Sequence, residues 1–249
     1  MTVNAPRLIV SLAVLLASVS GLGYLAAHTI LSPPPVDLAV QQFVSAPVPA
    51  EQAPTAAAGQ PVGVTQVDPG WLSATASRTG IPVPALRAYA RTQLDRAGGC
   101  DVGWTTLAGI GWVESQHGTI GGRSIGDDGH SSSRILGPAL NGAGKFAAIR
   151  SSADSRQWHG DPVWEHAVGP MQFIPSTWRT WATDGDANGT ADPNDIDDAA
   201  AATARYLCAD GDDLATGTGW AAAIFSYNHA RAYVDAVYDA ATAYARESG

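Results

Sequence analysis

Glu114 is the residue best placed to do chemistry in this chain. It stands in the run Gly109-Ile110-Gly111-Trp112-Val113-Glu114-Ser115-Gln116-His117-Gly118, an apolar, helix-like stretch that starts near Trp104. On a helix, Glu114 lies four residues from Ile110 and seven from Leu107, so it shares their apolar face. A carboxyl group there loses water, which favours its protonated form. A glutamic acid protonated near neutral pH can give a proton to a leaving oxygen, as glycoside cleavage requires. The plainer alternative is a partly buried glutamate held by backbone donors.

Other segments offer partners for that group. In the run from Val168 to Trp178, Gly169-Pro170 forces a turn, Gln172 supplies both donor and acceptor, and Met171 and Phe173 supply apolar surface. This suits one edge of a sugar-binding cleft. In Phe225-Ser226-Tyr227-Asn228, Tyr227 and Asn228 can hydrogen-bond a substrate or orient Glu114. Asp161 and Glu165 are candidates for the second carboxylate of a two-carboxylate hydrolase.

A separate chemistry is written between Asp184 and Asp198, a stretch without Lys or Arg. Asp184, Asp186 and Asn188 put oxygens at positions 1, 3 and 5 of a loop, Gly189 falls at 6, and Thr190 offers its carbonyl at 7. This matches a calcium loop of EF-hand type, with Asp195 at position 12 where glutamate is usual. An acidic turn without metal is the alternative.

The elements that carry these residues read as helices. Asp68-Pro69 caps and starts one that ends before Gly80. Pro84 starts a second, with Leu86, Tyr89, Ala90 and Leu94 at helical spacing, which Gly98-Gly99 stops. The Glu114 helix follows and ends by Gly118. Residues 121–168 are rich in Gly, Ser and Asp, and read as a long irregular wall or lid. Ala199 to Cys208, Trp220 to His229 and Arg231 to Arg246 complete the helices; the last carries Tyr233, Val237, Tyr238, Ala241 and Tyr244 on one broad face. No stretch alternates as a strand, so the class is mainly α.

Composition narrows the setting. The formal net charge is -9, with no basic stripe or arginine cluster, which argues against nucleic acid as a partner. Arg7 precedes an uncharged, largely apolar run from Leu8 to Ile30, the layout of a signal peptide or an uncleaved membrane anchor over residues 1–32. Residues 33–67 are rich in Pro and Ala and read as an extended linker, leaving residues 68–249 as the folded, exported domain. Cys100 and Cys208 are the only cysteines, and in an oxidising compartment they form a disulfide candidate.

Taken together, these segments resemble the lytic murein transglycosylases of the membrane-bound transglycosylase B type, in their actinobacterial branch. The resemblance runs from about Trp71 to Tyr244. It rests on Glu114-Ser115 with Gly118, the Gly169 to Trp178 segment, the aspartate loop, Tyr206-Leu207-Cys208 and Tyr227-Asn228. It implies a lysozyme-like helical domain of the goose-type or SLT kind, with an EF-hand-like calcium loop. It also implies an enzyme that cleaves the β-1,4 bond from N-acetylmuramic acid to N-acetylglucosamine in peptidoglycan. Glu114 would be the single catalytic acid and base, giving a 1,6-anhydro product. Ser115, Gln172, Phe173, Tyr227 and Asn228 would line the cleft by family position. The family's calcium loop is lengthened, and its last ligand would match Asp198 rather than Asp195. No organic cofactor is implied. A non-catalytic peptidoglycan-binding scaffold and a hydrolytic muramidase on the same fold are the rival readings.

Overall fold

The computed structural model describes residues 65–144 and 147–248. Asp68 accepts a hydrogen bond from the Trp71 amide at 2.7 Å, and Pro69 opens α1 (Pro69–Thr79). Gly80 closes it at a left-handed φ of 71°. The second helix, α2 (Val83–Leu94), stops short of Gly98-Gly99, because Arg96 already turns the chain at a φ of 50°. Then come α3 (Trp104–Ser115), the single turn α4 (Arg156–His159), α5 (Pro175–Trp181), α6 (Ile196–Leu207), α7 (Gly217–Tyr227) and α8 (Arg231–Ser248). Among the described residues no strand forms. Apart from α4, the described residues between 121 and 168 are mostly irregular, as expected, and are laced by isolated antiparallel bridges such as Arg150 to Trp164 and Leu136 to Val168.

The centre of the domain is α3. Every residue from Trp104 to Gly111 is buried, so this helix has no separate apolar stripe. The reading of Glu114 as one member of such a stripe is thus replaced by position along the helix: it sits in the last turn, where α3 emerges. The long helix α8 lies along α3, and Gly109 makes the approach possible. A Cβ there would stand 2.8 Å from the carbonyl oxygen of Val237. Tyr233, Val237, Ala241 and Tyr244 point into the core from α8, while Tyr238 is half-buried.

Cys100 and Cys208 form the disulfide, with Cα atoms 5.8 Å apart, tying the turn after α2 to the end of α6. Nearby, the Arg91 guanidinium meets the buried Asp197 carboxylate at 2.9 Å and fixes α2 to the start of α6. The linker ends sooner than the composition suggested: Val67 is buried, and the Thr65 carbonyl accepts from Arg91 Nε at 3.2 Å. The signal or anchor segment and residues 33–64 lie outside the described residues. Among those described, no helix is long and apolar enough to cross a membrane.

Candidate active site

Glu114 closes a ring of contacts drawn from three parts of the chain. Its Oε1 accepts a hydrogen bond from the Tyr233 hydroxyl on α8 at 2.7 Å. Tyr233 stacks on Tyr227 of α7, with centroids 6.3 Å apart and an interplanar angle of 12°. Tyr227 in turn donates its hydroxyl to the Met171 carbonyl at 2.8 Å. One residue back, the Pro170 carbonyl accepts from Ser115 Oγ at 2.6 Å, and Ser115 follows Glu114 on α3. The ends of α3, α7 and α8 are therefore locked together through the turn at residues 169–172.

This ring sets the chemistry of the carboxyl group. Burial pushes Glu114 up to about 8, against the Tyr233 hydroxyl, which favours the charged form. The last turn of a helix adds the negative end of its dipole, which also disfavours a carboxylate. The residue as a whole is half-buried at the end of α3, and its carboxyl group is poorly hydrated. A carboxyl group so placed is protonated at neutral pH, and Tyr233 steadies the anion once the proton leaves.

The residues named from sequence take different places around it. Ser115 is fully buried; besides donating to Pro170 it accepts from the Gly118 amide at 2.8 Å, so it holds the turn. Met171 and Phe173 are also buried, and Phe173 packs edge-on against Tyr227 and Trp178. Gln172 has a φ of 52° and donates from Nε2 to the Gly169 carbonyl at 2.9 Å. Tyr227 sits within the ring. Asn228 is buried at the end of α7, and its Nδ2 has no hydrogen-bond partner among the described residues. Asp161 Oδ2 lies 3.0 Å from His166 Nε2; Glu165 Oε2 lies 3.5 Å from His159 Nε2, and neither of these last two atoms makes a hydrogen bond among the described residues. The His166 contact, with the amides of Val163 and Trp164, holds Asp161 down to about 2.

Sequence reasoning missed Tyr233 as a partner of Glu114. It also missed His117, a buried linchpin of the α3 terminus. His117 Nδ1 lies 3.2 Å from Tyr89 Oη, and Nε2 lies 2.8 Å from Tyr244 Oη. Burial lowers His117 to about 3, so it is neutral and serves as a hydrogen-bonding spacer.

The acidic loop gathers Asp184, Asp186 and Asp198, with carboxylate oxygens within 4.8 Å of one another. Asp184 accepts from the amides of Asn188 and Gly189, which curls the loop around it. Asn188 Oδ1 accepts from the Thr190 amide at 2.8 Å. Burial, and then the like charges of Asp195 and Asp186, push Asp198 up to about 7. Three clustered hard oxygens, none in an ion pair among the described residues, fit a cation such as calcium. Asp195 is not in the cluster: it caps α6 by accepting from the Asp197 amide at 2.8 Å, and faces His130. The loop also supports the ring. Gly169, with a φ of 75°, lies so close to the Pro193 carbonyl that no Cβ fits.

Residues 148–223 match the family model described as a transglycosylase SLT domain. The match takes in the turn at residues 169–172, the acidic loop and α6, and ends within α7; Glu114 and Tyr233 lie outside it. It makes the chain similar, over that span, to lytic transglycosylases that act on peptidoglycan. No curated protein and no solved structure matches the chain.

Proposed function

We propose that this protein is a peptidoglycan lytic transglycosylase of the membrane-bound B type, with Glu114 as its only acid and base. The observation that carries this reading is the Glu114 carboxyl itself: raised to about 8 by burial, on a half-buried residue at the end of α3, and held by Tyr233. Protonated Glu114 gives its proton to the glycosidic oxygen between the muramoyl and glucosaminyl units. The bond to the muramoyl anomeric carbon breaks, and the glucosaminyl 4-hydroxyl leaves. The muramoyl acetamido oxygen steadies the cationic carbon. Glu114, now a carboxylate, removes the proton from the muramoyl 6-hydroxyl, whose oxygen bonds to the anomeric carbon. Glu114 ends protonated, and no water is consumed. A nucleophile from within the substrate needs no second protein carboxylate.

The unpartnered Asn228 Nδ2 is a donor available to a substrate oxygen or a water. Asp184, Asp186, Asn188, Thr190 and Asp198 would hold calcium, which would pin the loop and, through Pro193 and Gly169, the turn that carries Gln172. The disulfide suits export to an oxidising compartment, with the N-terminal segment as signal or anchor. Mass spectrometry of the soluble products from purified peptidoglycan tests the reaction. Fragments ending in 1,6-anhydromuramic acid are expected. Reducing-end fragments, heavier by one water, would make the protein a muramidase; binding without fragments would make it a scaffold.

A further inference from the structure

The chain leaves α3 through three consecutive left-handed residues: Gln116 at a φ of 54°, His117 at 60° and Gly118 at 83°. A helix commonly ends on one such residue, most often glycine. Here Gln116 fills that place, with its amide on the Trp112 carbonyl at 2.9 Å. His117 extends the run, with its own amide on the Gly111 carbonyl at 2.9 Å. A side chain in that region is strained, and such strain persists only where the surroundings impose it. What the surroundings hold is the His117 ring.

Both ring nitrogens are engaged, Nδ1 with the Tyr89 hydroxyl of α2 and Nε2 with the Tyr244 hydroxyl of α8. In a neutral imidazole one nitrogen donates and the other accepts, and hydroxyls suit either arrangement. Burial keeps His117 neutral across the range in which Glu114 titrates. Gly111 makes room for the link: a Cβ there would overlap the Tyr89 hydroxyl and come within 3.4 Å of His117 Nδ1. The Trp112 ring packs against His117, with centroids 5.7 Å apart. These contacts bear on the last turn of α3, the turn that carries Glu114.

The end of α3 meets α8 at two points, Glu114 on Tyr233 and His117 on Tyr244, roughly three helical turns apart along α8. One hydrogen bond alone would let the helix end pivot about it. The second removes that freedom, and Tyr89 ties the same ring to α2. Resting on the reaction proposed above, we infer that His117 is a positioning residue for Glu114: it fixes the end of α3 so that the carboxyl group stays turned from water and toward Tyr233. A histidine that served the fold alone could be replaced without changing how Glu114 holds its proton.

The test reads Glu114 directly by NMR, in full-length protein labelled with carbon-13 in glutamate. The Glu114 carboxyl signal is the one missing from Glu114→Gln. Its titration is followed in wild type, His117→Leu, His117→Gln and Tyr244→Phe. His117→Leu should lower the midpoint by roughly one pH unit, as water returns to the carboxyl group. Tyr244→Phe removes one hydroxyl and little volume, and should lower it by less. His117→Gln keeps a donor and an acceptor, and should fall between wild type and His117→Leu. On peptidoglycan, kcat of His117→Leu should fall by about 10–100-fold with KM unchanged. A wild-type midpoint in the folded variants, whatever their melting temperatures, overturns the inference and leaves the proposed reaction standing. If His117→Leu does not fold, Tyr244→Phe decides by the same readout. A shifted midpoint, together with wild-type release of fragments by Glu114→Gln, supports the positioning and removes the proposed reaction instead.

Discussion

The Tyr233 hydroxyl donates to Glu114 Oε1 at 2.7 Å across 119 residues of sequence, joining the last turn of α3 to the first turn of α8. Tyr233 is fully buried, and its ring stacks on that of Tyr227. It is a positioning residue: it acts on the reaction through the carboxyl group it holds.

Tyr233→Phe should therefore lower kcat/KM by about 10–100-fold, the range for losing a hydrogen bond to a charged group. The bond favours the charged form of Glu114. Its loss should move the alkaline limb of the pH-rate profile upward. A fall in rate with an unmoved limb would mark Tyr233 as packing only.

The raised Glu114 also makes a stability prediction. In the unfolded chain the carboxyl ionises near its ordinary value of 4.5; in the fold it holds its proton up to about 8. Between those values the native state binds more protons than the unfolded state, so stability falls as pH rises through that window. Glu114→Gln removes the effect. Thermal melts should show the variant matching wild type near pH 4 and exceeding it near pH 9, by at most a few kcal/mol. Parallel pH curves for the two proteins would contradict this.

Sequence pattern revealed the site unevenly, for physical reasons. Asp68-Pro69 and Gly80 mark α1 because caps are local chemistry. Glu114 stood out because a charge in an apolar run is locally anomalous, although burial on all sides of α3, rather than a stripe, supplies its setting. Tyr233 looked like one of several aromatic residues on a core-facing helix; only the approach of α8 at Gly109 reveals its hydroxyl's target. Ser115, Met171 and Phe173 come from the right segments, yet their side chains face inward, and the Ser115 hydroxyl and Met171 carbonyl make the ring. Spacing alone put Asp195 at the end of the loop. The fold uses Asp195 as the cap of α6 and turns Asp198, one helical turn further on, toward Asp184 and Asp186.

That geometry makes the metal reading testable. Adding calcium to chelator-treated protein should raise the melting temperature, and Asp184→Ala or Asp198→Ala should abolish the rise. Asp195→Ala should cost roughly 1–2 kcal/mol through the lost helix cap, yet keep the calcium response. A calcium response that vanishes only with Asp195→Ala would reverse the assignment.

Cys100 and Cys208 are separated by 108 residues, and the disulfide closes most of the domain into one loop. Reduction should destabilise the fold by about 4–5 kcal/mol if the chain-entropy model holds. Denaturant titrations with and without reductant measure this directly. Equal midpoints would mean that the α2 to α6 contact, with Arg91 on Asp197, suffices alone.

The central claim is that one carboxyl group performs both proton transfers. It is tested most directly by the release of soluble fragments from purified peptidoglycan, comparing wild type with Glu114→Gln at matched thermal stability. Loss of release by on the order of 10²–10⁴-fold or more, with the fold intact, is the expected result. Release at the wild-type rate from Glu114→Gln would contradict it.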